Sequence, residues 1–295
     1  MRLSDLSRST SQIRYMSVAT ERADKVQQQL ATNRRIQRAS DDPAGAAMAM
    51  QYRKNITFEA QMRRNLENGT AFLNVTESAM DSATDLLQRA RELTVQGATG
   101  TLGPNEKKNI VSELNQIIQQ LGQVANTNFG GAYIFSGHQT QTPAYNVTGN
   151  PPVSATWQGD SGQRIRQISA QASVAVNVIG DDVFGTMFDD LIALRDNLNA
   201  NAPTTTINSA LADIDHALDR VLNARADVGA RINRFEATTN RSLDADTNLQ
   251  ELRASVEDID ITDTIIQFTA AQNALEAALG AIGRTSNMTL LNFLR

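Results

Sequence analysis

The residues of this sequence that could do chemistry are two histidines, three close pairs of aspartates and one loop flanked by glycines. Acid–base and nucleophilic catalysis need groups whose protonation or reactivity can be tuned by neighbours. His138 lies in a polar turn after Phe135-Ser136-Gly137, and His216 follows Asp213-Ile214-Asp215 on a predicted helix. Neither has a nucleophile or a catalytic motif beside it, so both read as solvent-facing side chains. Asp181-Asp182, Asp189-Asp190 and the Asp258, Asp260 pair could bind a cation, but none has the spaced oxygen ligands and terminal Glu of a calcium loop. They read as acids at helix starts or on solvated faces. Gly159 and Gly162 are not followed by Lys-Ser/Thr and open no helix, so a turn is expected there in place of a phosphate cradle. The sequence therefore assigns no catalytic, cofactor-binding or metal-binding residue, and an enzyme is not expected.

Composition narrows the architecture. Apolar residues are 41% and charged residues 20%, enough for a core, but aromatics are only 5%, which suits long helices packed through small side chains. Residues 1–64 carry twelve Lys/Arg against six Asp/Glu, whereas 241–295 carry four Arg against eight Asp/Glu. The two ends should attract each other. The basic residues near the start are dispersed, and Tyr15, Tyr52 and Phe58 are too far apart to make a stacking platform, so no nucleic acid is expected as a partner. There is no cysteine, hence no disulfide framework. No run of about 18 apolar residues is present, so no membrane insertion is expected. The opening residues carry no apolar signal core, so export, if any, should use no cleaved signal.

The elements that position these residues are mainly helical. Ile207, Leu211, Ile214, Leu218, Val221, Val228, Ile232 and Phe235, followed by Leu249 and Leu252, recur at 3–4 spacing, which predicts one helix of roughly 70 Å. A second long helix is predicted from Asp42-Pro43, with Asp42 as N-cap and Pro43 at the first helical position, to Gln96. Its seam contains Met62, Leu66, Leu73, Met80, Leu87 and Ala90, with Gly69 allowing close helix approach. Gly103-Pro104 starts a third helix through Ile110, Leu114, Ile117, Leu121 and Val124. These three predict an antiparallel bundle. Between about 132 and 185 the period shortens, with β-like runs around Tyr133, at Val153 to Trp157, Arg164 to Ser169 and Ala172 to Val178, and a hairpin loop at 158–162. The ends return to helical spacing: Leu3, Leu6, Ile13, Met16, Ala19, Ala23, Val26 and Leu30 near the start, and Ile261, Ile265, Phe268, Leu275, Leu279, Ile282, Leu290, Leu291, Phe293 and Leu294 near the finish. Alanines 270, 274, 277, 278 and 281 widen the apolar arc of the second set beyond the ~100° of an ordinary surface helix, which calls for more than one partner.

Stretches at both ends and in the centre carry a resemblance. Asn33-Arg34-Arg35-Ile36-Gln37-Arg38-Ala39-Ser40-Asp41-Asp42-Pro43-Ala44-Gly45 resembles the signature near the N-terminus of the bacterial flagellin family, with Asp41, Asp42 and Pro43 in the form of its hook-associated protein 3 branch. The stretch from Gly130-Gly131-Ala132-Tyr133-Ile134-Phe135-Ser136-Gly137 to Pro143-Ala144-Tyr145 resembles the passage of that branch into its outer domain, and Trp157 to Ile168 is similar to its outer hairpin. Asp258-Ile259-Asp260-Ile261-Thr262-Asp263, Ala270 to Ala278 and the final Thr289 to Leu294 are similar to the family's terminal helix.

The resemblance implies a mainly α fold, a long antiparallel bundle or coiled coil of the N- and C-terminal halves with a small β-rich outer insertion. Its expected parts are terminal segments 1–41 and 255–295, disordered in the monomer and lining a tube on assembly, a helical rod of 42–130 and 186–254, and an outer insertion of 131–185. It implies secretion through the flagellar type III apparatus and a non-catalytic junction subunit joining hook to filament outside the cell. Implied partners are other copies in a ring, the preceding hook-associated protein, flagellin or other filament-side subunits, and an export chaperone. The two apolar seams at the ends are the implied assembly interface. A short flagellin is the alternative, and a type III secretion effector or translocator a more distant one.

Overall fold

The computed structural model describes residues 2–99 and 102–293, and the side chains of 10–99 and 102–283. Seven helices and six short strands follow one another: α1 (Arg2–Thr32), α2 (Pro43–Gly97), α3 (Pro104–Ala125), β1 (Asn128–Phe129), β2 (Ala132–Tyr133), β3 (Tyr145–Thr148), β4 (Ser154–Trp157), β5 (Ile165–Gln167), β6 (Ser173–Ala175), α4 (Gly180–Phe184), α5 (Met187–Asn199), α6 (Thr204–Glu257) and α7 (Ile261–Phe293). The fold is mainly helical, as expected. The chain divides into two compact units, one of residues 59–244 and one of 1–58 with 245–295.

The 59–244 unit holds the hydrophobic core. On α2, Leu66, Leu73, Met80 and Leu87 are fully buried, and on α6 so are Ile207, Val221, Val228 and Phe235, with Ile214 nearly so. Both series step by seven, the period that keeps one face of a helix against a partner over many turns. α3 adds Ile110, Leu114, Ile117, Ile118 and Leu121 to the same core. A Cβ on Gly69 would sit 2.2 Å from the Phe235 ring, so only glycine lets this aromatic lie against the α2 backbone. Arg225 of α6 ties to Glu77 and Asp81 of α2, each at 2.7 Å, and Arg91 Nε lies 2.6 Å from Asp215.

Past Phe235 the buried stripe of α6 turns polar. Thr238 and Ser242 are buried, and of the two leucines that the apolar spacing added further along the helix, Leu249 is half-buried and Leu252 exposed. Both hydroxyls are satisfied: Thr238 donates to the Arg234 carbonyl of its own helix at 2.7 Å, and Ser242 donates across to Glu59 of α2 at 2.6 Å. A hydroxyl that meets its hydrogen bond in this way can be buried at little cost.

The insertion consists of three antiparallel two-stranded ribbons, β1 with β2, β3 with β4 and β5 with β6. Their inner residues join α4 and α5 in an aromatic cluster of Phe135, Tyr145, Trp157, Phe184 and Phe188, with Phe135 and Phe184 edge to face at 5.1 Å. Burial pushes the Tyr145 hydroxyl well above its ordinary range. Three polar ties fix the ribbons. Arg231 of α6 donates to the carbonyls of Ala175 and Asn177. Arg195, nearly buried on α5, donates to the Pro152 carbonyl and to Asn115. Asp160 accepts the N–H groups of His138 and Gly162 at 2.6 and 2.9 Å, which holds the Asp160 carboxyl below its usual range. The 158–162 segment is not the hairpin loop expected from the sequence, because β4 pairs back with β3 and β5 forward with β6.

Candidate assembly site

The unit of residues 1–58 and 245–295 is built differently, because it has almost no core. Among its described side chains the buried apolar ones are Ala23, Ile36 and Ala49. Its main feature is the pairing of α1 with α7. On α1 the less exposed stripe is Met16, Ala19, Ala23, Val26 and Leu30, the seam read from the sequence, while Ile13 is exposed. On α7 the stripe is Thr264, Phe268, Ala271, Leu275, Ala278 and Ile282. Steps of four and three keep these residues on one side. Phe268, Leu275 and Ile282 of the expected set thus belong to the stripe of lower exposure. Ile261, Ile265 and Leu279, the others with described side chains, do not: they are 56%, 50% and 52% exposed. The remaining members, Leu3, Leu6, Leu290, Leu291, Phe293 and Leu294, fall outside the described side chains.

The signature stretch forms the turn that leads from α1 into α2. α1 ends at Asn33, whose φ of 56° is left-handed, a conformation that asparagine tolerates. Asp42 then caps α2, accepting the Gly45 N–H at 2.9 Å with Pro43 between them. A Cβ on Gly45 would lie 2.6 Å from Ile36 Cδ1, so glycine admits the one large buried side chain of the turn. Asp41 accepts the N–H groups of Arg38 and Gln37 and an ion pair from Lys25. The hydrogen bond from Arg38, then that from Lys25, holds the Asp41 carboxyl below its usual range; the Gly45 N–H, then Arg35, does the same for Asp42.

This turn is bound to the end of α6 by a residue the sequence reading passed over. Glu257 is 2% exposed and is paired with Arg34 Nε at 2.9 Å and with Arg53 of α2. The Arg35 N–H donates to the Glu257 carbonyl at 2.7 Å, and the Arg35 guanidinium reaches both the Val256 carbonyl and Asp42. Arg34 and Asp258 complete an antiparallel bridge. A signal was present: an acid in the last turn of a helix opposes the helix dipole and needs cations nearby. Asp260 then caps α7, accepting the N–H groups of Thr262 and Asp263.

The aspartates and histidines singled out earlier take ordinary places. Asp181-Asp182 and Asp189-Asp190 lie in the first turns of α4 and α5, and His138 and His216 are exposed. Burial raises the Asp190 carboxyl, which accepts the Thr186 hydroxyl at 2.9 Å. Among the described residues no group of three His, Cys, Asp or Glu could hold a metal ion, and no helix is long and apolar enough to cross a membrane.

Comparison with known proteins finds both ends of the chain in one family. The bacterial flagellin N-terminal helical region matches residues 4–140, and the bacterial flagellin C-terminal helical region matches 211–294. Flagellin FlaB1 of Treponema pallidum is 28% identical over 275 residues, covering 91% of each chain. Flagellar hook-associated protein 3 of Escherichia coli is 24% identical over 293 residues, covering 90% of this chain and 91% of that one. A solved flagellar hook-associated protein from Vibrio parahaemolyticus shares the fold, with a TM-score of 0.69 at 20% identity over 74% of this chain and all of its own.

Proposed function

The chain belongs to the bacterial flagellin family, and from this premise we propose that it polymerises through its paired terminal helices as a subunit of the extracellular flagellar tube. Family membership makes it a structural protein, not an enzyme. The observation that carries the proposal is the exposed apolar side chains of a unit nearly without a core. Ile13, Tyr15, Val18, Ile261, Ile265, Ile266 and Leu279 are all at least 41% exposed on the α1–α7 pair. Exposing so many large apolar groups on one helix pair is costly, and covering them returns about 25 cal/mol per Å².

The same imbalance supports the view that segments 1–41 and 255–295 are mobile before assembly and order within it, since ordering costs about 1–2 kcal/mol per residue with little burial to offset it. Amide exchange on the purified monomer tests this: fast exchange across both ends, slowing on polymerisation, is expected, and strong protection in the monomer would count against it. Removal of residues 290–295 should leave export intact and abolish stable incorporation into flagella.

Two positions along the tube are open to such a subunit. The filament itself has the stronger support, because a filament flagellin is 28% identical and hook-associated protein 3 is 24% identical over similar spans. The hook–filament junction, which the sequence alone put first, is the second reading. It is favoured by the resemblance of the 130–145 stretch to the hook-associated branch of the family. At the junction the partners would be the preceding hook-associated protein, flagellin, further copies in a ring and an export chaperone. A deletion strain separates the positions: loss of this filament component with other hook proteins in place supports the first, and bare hooks with flagellin released into the medium support the second.

A further inference from the structure

A groove of about 810 Å³ runs along the α1–α7 pair, lined on one side by Arg14, Tyr15, Val18, Arg22 and Lys25 and floored by the small Ala270, Ala271 and Ala274. It carries three cations and no carboxylate among its lining residues. Lys25 is already paired with Asp41, which leaves Arg14 and Arg22 to give the groove its sign. A floor of alanines lets a helix approach closely, much as small residues do at other helix interfaces.

The complement to this groove lies on the same helix. From Ala254 to Gly283 the chain has no Lys or Arg. On α7 the exposed Ile261, Ile265 and Leu279 share a face with Glu276, and exposed Asp258 lies just before it. Ile265 and Ala274 are nine residues apart, about 180° around a helix of 3.6 residues per turn. The acidic, apolar ridge therefore points away from the basic, alanine-floored groove, and one copy cannot satisfy itself.

We propose that the ridge of Asp258, Ile261, Ile265, Glu276 and Leu279 docks in the α1–α7 groove of a second copy, with Arg14 and Arg22 facing its carboxylates. This rests on the polymer reading above and names the contact that would build it. Because the two surfaces differ, the contact is heterologous: each added copy leaves one groove and one ridge open, so assembly continues as a ring or a helix. The opposed charges would fix the register, while the isoleucines and alanines supply the buried area.

The test uses the full chain with two charge-reversed forms, one carrying Arg14→Glu and Arg22→Glu, the other Asp258→Lys and Glu276→Lys. All these side chains are exposed, so helix content should be unchanged. Sedimentation at low ionic strength should show wild-type association that weakens as salt rises, each reversed form associating roughly tenfold more weakly, and recovery on mixing the two forms. Association of either form at the wild-type level, no recovery on mixing, or capture of the groove by a different flagellar protein alone would overturn the proposed contact. If the mutants fail to associate as described but still restore motility to a deletion strain, the contact falls while the polymer reading stands. If wild type itself neither associates nor enters flagella, both fall.

Discussion

The Nε of Arg34 lies 2.9 Å from Oε1 of Glu257, joining the turn after the first helix to the end of the sixth. Arg53 approaches the same carboxylate, and the backbone N–H of Arg35 meets the Glu257 carbonyl. Glu257 thus holds two parts of the N-terminal region, the turn through Arg34 and Arg35 and the first part of α2 through Arg53. Its weight in this unit is large, because so few buried apolar groups hold the unit together.

Glu257→Ala should loosen this junction selectively. Removing one partner of a fully buried ion pair costs about 3–5 kcal/mol, but the two arginines are about half exposed, so about 1–3 kcal/mol is expected here. In the assembled protein, amide exchange resolved by segment should speed up in residues 10–58 and 245–283 and leave 59–244 unchanged. Equal acceleration in both units would show that Glu257 has no local role.

Gly69→Ala should destabilise the rod by about 1–3 kcal/mol, because the added methyl would stand 2.2 Å from the Phe235 ring. Urea unfolding should show a lower midpoint. Phe235→Leu in the Gly69→Ala background should recover part of the loss, since a smaller side chain frees the space; an additive double mutant would refute the packing argument.

The signature turn should weaken in acid. Both Asp41 and Asp42 have carboxyls held below the ordinary value of 3.8. A depressed carboxylate adds stability that is complete above the unfolded value and drains away as pH falls through the lower folded value. In the assembled protein, protection of the Gln37, Arg38 and Gly45 amides should therefore hold above about pH 5 and fade below 3.8. Asp42→Asn should retain the cap, because asparagine serves as well there, whereas Asp41→Ala should lose Gln37 and Arg38 protection at neutral pH.

Arg195→Lys should cost about 1–3 kcal/mol in the rod unit although charge is kept. A single ammonium cannot reach the Pro152 carbonyl, Asn115 and Asp196 together as the guanidinium does. A urea midpoint equal to wild type would mean that these bonds are made to water at no loss.

Much of the architecture follows from periodicity alone. Leu66, Leu73, Met80 and Leu87 on one helix and Ile207, Ile214, Val221, Val228 and Phe235 on the other step at a spacing that only a long paired helix satisfies. Asp42-Pro43 and Gly103-Pro104 mark helix starts through their own backbone chemistry. These are local or periodic properties, and a linear sequence carries them in full. What tertiary structure decided was which neighbour each surface meets. Phe268, Leu275 and Ile282 face α1 while Ile261, Ile265 and Leu279 stay exposed, although both sets have helical spacing, because a wide apolar arc does not say where its first partner will sit. Arg53 and Glu257 are 204 positions apart, and no local pattern announces a pair that forms only when the chain's two ends return to each other.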